Sequence, residues 1–233
     1  MVITDATEIA ALAAFKTAIA AIADDPVRLA AQAHHDGDLM RYLRARELDI
    51  EKSVALLVEA VVWRLNTNPE ALIDSDEPGL VACRQLRVMW TSERPALDGK
   101  VVIYMKVRYN PHAVESRINH MIAIMEEAVR KLDANPPQTQ MIWIASFERF
   151  ARSPGGRAVA QGCLDVLQKS YAERLGGMWI LNAPWLFGAM YTLLSPFVSS
   201  RTKEKLHWLN GDEAAVRAAL ATVVGEVDAD LFT

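Results

Sequence analysis

Five histidines and two cysteines are the side chains of this sequence with the most ready chemistry. Their spacing gives them little to work with. His34 and His35 are adjacent, so on a helix they diverge by ~100° and make a poor metal pair. His112, His120 and His207 fall in no ligand pattern, and core or surface roles suit them better. Cys83 and Cys163 form neither a redox nor a zinc motif, and two lone thiols fit a reducing compartment. No nucleophile elbow, P-loop or dinucleotide fingerprint is present. "SPGGR", from Ser153 to Arg157, could meet an anion at a helix start, but two loop glycines are a weak signal. Glu126 and Glu127 read as the solvated face of a long helix. The chain is therefore expected to bind rather than to catalyse, without a metal or other cofactor.

The stretch from Glu173 to Phe197, "ERLGGMWILNAPWLFGAMYTLLSPF", is of another kind. A glycine pair leads into an apolar run, Met178 to Leu181, with the length and bounding of a buried strand. It closes on "NAP", where many α/β proteins place a polar ligand-binding loop. More apolar residues follow instead: Trp185, Leu186, Phe187, Met190, Tyr191, Leu193, Leu194 and Phe197. From pattern alone, a core helix behind a strand explains them better than a ligand-facing surface does.

The elements around these residues must position them. The chain has 233 residues, 52% hydrophobic and 23% charged, enough for one large domain or one domain with a helical annex. A formal net charge of −4 argues against general nucleic-acid binding, and no compact basic tract is present. The N-terminus is as alanine-rich as a signal peptide, but it carries Asp5, Glu8 and Lys16 and lacks a basic first region. It reads as an amphipathic helix. No run approaches the ~18 uncharged apolar residues of a membrane span, and a cytosolic protein is expected.

Residues 7–65 carry only helical patterns. A short helix from Asp36 to Arg46 precedes Asp49, the N-cap of a second helix in which Ile50, Val54, Leu57, Val61 and Leu65 recur at helical spacing, with Trp63 beside them. "NTNPEALIDSDEPG" breaks the periodicity and divides a helical region, 1–68, from a second region, 69–233. There, strands alternate with helices: a strand from Lys100 to Val107, a helix from Ala113 to Leu132, a strand in "QMIWIASF", a helix from Val159 to Tyr171 and a strand in "GMWILNA". An apolar helix from Pro184 to Phe197, a basic turn from Arg201 to Lys205, a strand in "LHWLN" and a helix capped by Asp212 complete the chain. The alternation implies βαβ crossovers and a mostly parallel sheet covered by helices on one or both faces.

Two segments resemble a known family. "DLMRYLRARELDIEKSVALLVEAVVWR", Asp38 to Arg64, resembles the helical N-terminal region of CRAL-TRIO proteins, and "YAERLGGMWILNAPWLFGAMYTLLSPFVSSRTKEKLHWL", Tyr171 to Leu209, resembles their most characteristic segment. "LDGKVVIY" sits where that family places its first sheet strand. The resemblance covers roughly residues 36–225 and points to the branch of phosphatidylinositol/phosphatidylcholine transfer proteins. It implies an α/β fold in which an N-terminal helical annex packs on a domain whose mostly parallel sheet floors an apolar lipid cavity closed by a gate helix. The gate falls on Pro184 to Phe197, with Trp185, Phe187, Met190, Tyr191, Leu194 and Phe197 facing lipid.

A phospholipid cavity needs apolar walls, each buried methylene being worth ~0.8 kcal/mol. It also needs polar partners for the headgroup, because an anion buried unpaired is prohibitively costly. The family's phosphoinositide-headgroup residues carry over onto Arg46, Glu173, Arg174, Thr202 and Lys205. Arg46, Arg174 and Lys205 would compensate phosphate, and Glu173 and Thr202 would bond inositol hydroxyls. Arg44, Arg201 and Lys203 would help dock the protein transiently on anionic bilayers. Departures from the family pattern are Glu47 in place of a frequent basic residue, Ala172 in place of proline, and Ser146 and Arg149 where an aspartate and a glycine are usual. The expected function is a cytoplasmic, monomeric carrier of one phospholipid, phosphatidylinositol exchanged for phosphatidylcholine. A carrier of a neutral lipid such as a sterol, squalene, a retinoid or tocopherol is the alternative, followed by a lipid-sensing adaptor.

Overall fold

The computed structural model describes residues 5–134, 138–184 and 200–233. Four helices come first: α1 (Ala6–Ala20), α2 (Asp25–Gln32), α3 (Asp36–Ala45) and α4 (Ile50–Thr67). Each starts at a side-chain cap: Asp5, Asp24, His35 and Asp49 accept from backbone N–H groups of the first turn, which have no partner within the helix. Leu12, Phe15 and Ile19 of α1 turn inward and its alanines largely outward, so the helix is amphipathic in side-chain size more than in polarity. They join Leu39, Met40, Leu43, Leu56, Leu57 and Val61 in one apolar cluster.

The buried face of α4 is Ser53, Leu56, Leu57, Ala60 and Val61, whereas Leu65 is 53% exposed. The expected stripe is thus rotated by part of a turn. Small Ser53 and Ala60 let the neighbouring helices approach closely, and a count of large apolar residues passes over them. Trp63 leaves this cluster altogether and meets Tyr171 edge-on at 6.0 Å.

A 3₁₀ turn (Pro69–Leu72) and α5 (Pro78–Gln85) lead to the sheet. Its strands are β1 (Met89–Thr91), β2 (Val101–Lys106), β3 (Met141–Ser146), β4 (Leu175–Leu181) and β5 (Leu206–Leu209), ordered β1-β2-β3-β4-β5. Only β1 runs antiparallel to its neighbour. Helices α6 (Val114–Asp133) and α7 (Gly156–Ser170) connect β2 to β3 and β3 to β4; α8 (Ser200–Glu204) precedes β5 and α9 (Glu213–Val224) follows it.

Spatial order that follows chain order has a consequence. Right-handed crossovers advancing one strand at a time put their helices on a single face. Ile103, Trp143 and Met178 accordingly pack with Met121, Met125 and Leu167 of α6 and α7. Val102, Tyr104, Ile144 and Leu181 face the other way, onto Val216, Leu220 and Val224 of α9 and Leu231 of a closing 3₁₀ turn. Both faces are therefore covered. Because the order never reverses, the sheet lacks the switch-point crevice in which open α/β sheets bind nucleotides.

The glycine pair near the start of β4 serves packing and register. A Cβ on Gly177 would stand 2.6 Å from the Trp179 ring, and that ring stacks on His207 of β5 at 4.5 Å. Pairing jumps from Met141–Leu175 to Ile142–Gly177, so Gly176 is an extra residue in β4.

One polar contact corrects the sequence reading. Glu126 is not solvated: it is 1% exposed, accepts from Arg64 Nη1 and Nη2 at 2.9 and 2.6 Å, and accepts the Tyr171 hydroxyl. Burial alone would depress the Arg64 guanidinium, but the hydrogen bonds and charge of Glu126 outweigh it and hold Arg64 above its ordinary value. Burial and the same carboxylate push the Tyr171 phenol well up. This triad ties α4, α6 and the end of α7 together. Glu126→Gln leaves Arg64 with only the more distant and exposed Glu70, at 3.6 Å, as counter-charge and is expected to lower stability by about 3 kcal/mol in urea unfolding, the low end for a broken buried pair. A loss below about 1 kcal/mol would show the triad to be dispensable.

Candidate headgroup site

The headgroup residues expected from the resemblance lie on two tight turns and one short helix. At the α3–α4 corner Arg46 caps α3, and Glu47 and Leu48 follow with φ of 54° and 66°. Two consecutive non-glycine residues in the left-handed region are costly. Here the corner is held by Leu48 N–H donating to the Leu43 carbonyl at 2.8 Å and by Asp49 capping α4. Arg46 is exposed, and its Nη1 donates only 3.1 Å back to the Ala45 carbonyl. Glu47, in place of a cation, is exposed on the same corner.

The second turn, Tyr171–Arg174, carries the chain from α7 into β4. Glu173 sits at φ 55°, and the Arg174 N–H closes the turn onto the Tyr171 carbonyl at 3.2 Å. Its two side chains go different ways. Glu173 Oε2 lies 3.2 Å from Lys205 Nζ, which also donates to the Leu175 carbonyl at 2.7 Å. Thr202 is half-buried one turn earlier, its carbonyl accepting the Lys205 N–H at 3.1 Å. Glu173, Thr202 and Lys205 are thus brought together at the amino ends of β4 and β5.

Arg174 is 6% exposed and turned to the interior, where its Nη1 donates to the Thr139 carbonyl at 3.0 Å and its Nη2 to Asp38 Oδ1 at 3.1 Å. The same Asp38 oxygen accepts from Arg41 Nε and Nη2 at 2.9 and 2.6 Å, and Arg41 Nη1 donates to the Ala172 carbonyl at 2.8 Å. Burial would raise the Asp38 carboxyl, but the two guanidiniums hold it below its ordinary value. Burial, with Arg41 alongside, pushes Arg174 down to about 10, which leaves it charged at neutral pH. The structure therefore places Arg174 behind the site as a structural cation, and Arg46 on a separate corner.

Sequence reasoning missed Asp38 and Arg41. Their i,i+3 spacing on α3 was visible; their partner 136 positions away was not. A cleft of about 60 Å³ opens beside this network, lined by Arg41, Arg44, Thr139, Gln140 and Glu173 among others. Arg44 is held there by Glu8 at 2.7 and 2.6 Å. The apolar helix expected from Pro184 to Phe197, with Trp185, Phe187, Met190, Tyr191, Leu194 and Phe197, lies outside the described residues except for Pro184. No described helix is long and apolar enough to cross a membrane, and no metal-ligand cluster occurs among the described residues.

Asp38→Asn leaves two buried guanidiniums without a counter-charge, and a loss of about 3–5 kcal/mol at pH 7 is expected. Because the folded carboxyl lies below its unfolded value of 3.8, its stabilisation is present above that pH and lost as pH falls through the folded value. Denaturant midpoints of wild type and variant should therefore converge at acid pH. A gap unchanged between pH 7 and pH 3 would show that the carboxylate charge is not what holds the arginines.

A family model for the CRAL/TRIO domain matches residues 94–224. A CRAL-TRIO domain-containing protein of Schizosaccharomyces pombe is 27% identical over 176 residues, covering 72% of this chain and 16% of that protein. The phosphatidylinositol transfer protein SFH5 of Coccidioides immitis is 28% identical over 189 residues, covering 72% of this chain and 41% of that protein. The chain thus spans less than half the length of these relatives. A crystal structure of Sfh5 superposes with a TM-score of 0.74 at 16% identity, covering 98% of this chain and 90% of that one, so the fold is shared. On a match spanning more than half its length, the chain belongs to the CRAL/TRIO domain family.

Proposed function

We propose that the protein binds and transfers a single phospholipid, phosphatidylinositol in exchange for phosphatidylcholine, between membranes it touches transiently. One observation carries the reading: the Glu173–Lys205 pair at 3.2 Å, with Thr202 a turn away. Lys205 supplies a cation for the phosphodiester, and Glu173 and Thr202 supply oxygens for inositol hydroxyls. Arg46, on the neighbouring corner in this reading, reaches the headgroup from outside, whereas Arg174 keeps Glu173 in place. Ala145, Phe147 and Ile180 form a buried apolar cluster at the carboxyl ends of β3 and β4, which in this reading opens to take the acyl chains. Family membership and the name of the SFH5 relative support the lipid class.

A neutral cargo, such as a sterol or tocopherol, is the second reading. Two observations favour it: Arg174 spends its charge on Asp38, and Glu47 adds a negative charge beside Arg46.

Transfer between liposomes separates the two. Glu173→Gln and Lys205→Gln each remove one charged hydrogen-bond partner, worth about 1.5–3 kcal/mol, and are expected to slow phosphatidylinositol transfer by about ten- to a hundredfold. Phosphatidylcholine transfer, which needs no inositol contacts, should be unchanged and reports on the fold. Equal loss of both lipids in a folded variant, or no loss of either, would overturn the headgroup assignment. Native mass spectrometry showing only a neutral lipid retained from mixed liposomes would favour the second reading.

A further inference from the structure

A second cavity, of about 270 Å³, lies at the far edge of the sheet, between α5, α6, β1 and the segment after the first 3₁₀ turn. It shares no residue with the Glu173–Lys205 site at the starts of β4 and β5, so a ligand bound here is independent of the cargo. The volume far exceeds the ~30 Å³ share of one water and falls just short of the ~300 Å³ at which sites for drug-sized ligands begin. Ile73, Met89, Ala123 and Ile124 give it apolar walls.

Its polar lining is what points to a ligand. His120 lines the cavity, is 3% exposed and has no hydrogen-bond partner among the described residues. The ring nitrogens are not among the fully buried atoms that lack a partner, so the unbonded imidazole opens on the cavity and can meet a molecule there. Burial, together with the charge of Arg84, pushes it down to about 4, so at neutral pH it is uncharged and has one N–H to donate. Arg84, on the same wall, donates to the carbonyls of Leu72, Ile73 and Ser75 and forms no ion pair among the described residues. The other charges are spoken for. Arg87 Nε binds Asp230 at 2.6 Å, while Glu127 accepts the Thr91 hydroxyl and lies 3.4 Å from Lys131. The cavity thus combines one uncompensated cation, one unused donor and apolar walls.

We propose that this cavity is a binding site for a small organic monocarboxylate, its carboxylate between His120 and Arg84 and its apolar body against Met89, Ala123 and Ile124. A dianion would bring more charge than the single guanidinium of Arg84 can match, and a neutral molecule would leave that guanidinium with backbone carbonyls alone and no counter-charge.

The test uses the full chain with three probes: sodium benzoate, benzyl alcohol as the same body without charge, and sodium phosphate as charge without a body. Histidine ring ¹H–¹⁵N spectra report His120 directly. Benzoate is expected to shift the His120 resonances saturably, and the other two probes are expected to leave them in place at equal concentration. Arg84→Lys and His120→Phe should each weaken benzoate binding at least tenfold in calorimetry, with circular dichroism showing both variants folded. Two variants are used because Arg84 also ties down the 72–75 backbone. No saturable shift with benzoate would overturn the proposal. So would equal shifts from benzyl alcohol or phosphate, or benzoate affinity unchanged in a folded variant.

Discussion

One carboxylate organises the end of this molecule that carries the candidate site. Asp38 leaves α3 into the interior and is shared by two guanidiniums, Arg41 from its own helix and Arg174 from the turn before β4. Arg41 in turn takes the Ala172 carbonyl, so the helical region and the sheet are joined at the point where the chain enters β4. A buried site with two cations and one anion needs further acceptors, and the backbone carbonyls of Thr139 and Ala172 supply two. The geometry of Glu173 follows. Arg174 is drawn inward, Glu173 is left in the left-handed region, and its carboxylate points to Lys205.

A monotonic strand order separates binding from the usual places in α/β proteins. With α6 and α7 on one face and α9 on the other, neither face has a reversal at which two loops diverge and leave a crevice. The polar side chains Glu173 and Lys205 gather at the strand starts, and the buried apolar cluster with Phe147 and Ile180 lies at the strand ends. An amphipathic molecule lying along the strands would match both. The cavity around His120 is on the remaining free edge, where the short antiparallel β1 leaves α6 partly uncovered.

Much of the architecture was legible in the sequence because strands and helices here obey their periods. Strands β2 and β3 are apolar up to their last residues, Lys106 and Ser146, as expected of parallel strands covered on both sides. Strand β1 escaped notice: three residues cannot display a period, and it exists only by pairing with β2. The buried charges were the least legible. Glu126 lies next to Glu127 and near Arg130 and Lys131, a pattern indistinguishable from a solvated face, and its partners Arg64 and Tyr171 are 62 and 45 positions away. The Glu173–Lys205 contact was reached only through the family resemblance, since nothing in either segment encodes a pairing across 32 positions. The separation of Arg174 from Glu173 was beyond sequence entirely, because it depends on Asp38.

The additional glycine in β4 governs parity. Side chains of a strand alternate, so an extra residue paired in the ladder would exchange the two faces for everything on one side of it, and a bulge avoids this by leaving the residue unpaired. With Gly176 in place, Leu175 and Met178, three residues apart, lie on the same side with α6 and α7. Were Gly176 paired in the ladder as an ordinary strand residue, Leu175 would pass to the α9 side, and the turn carrying Glu173 and Arg174 would meet the sheet in the opposite sense. The orientation of a charged pair is thus encoded in a residue that has no side chain, by a count of positions instead of a contact.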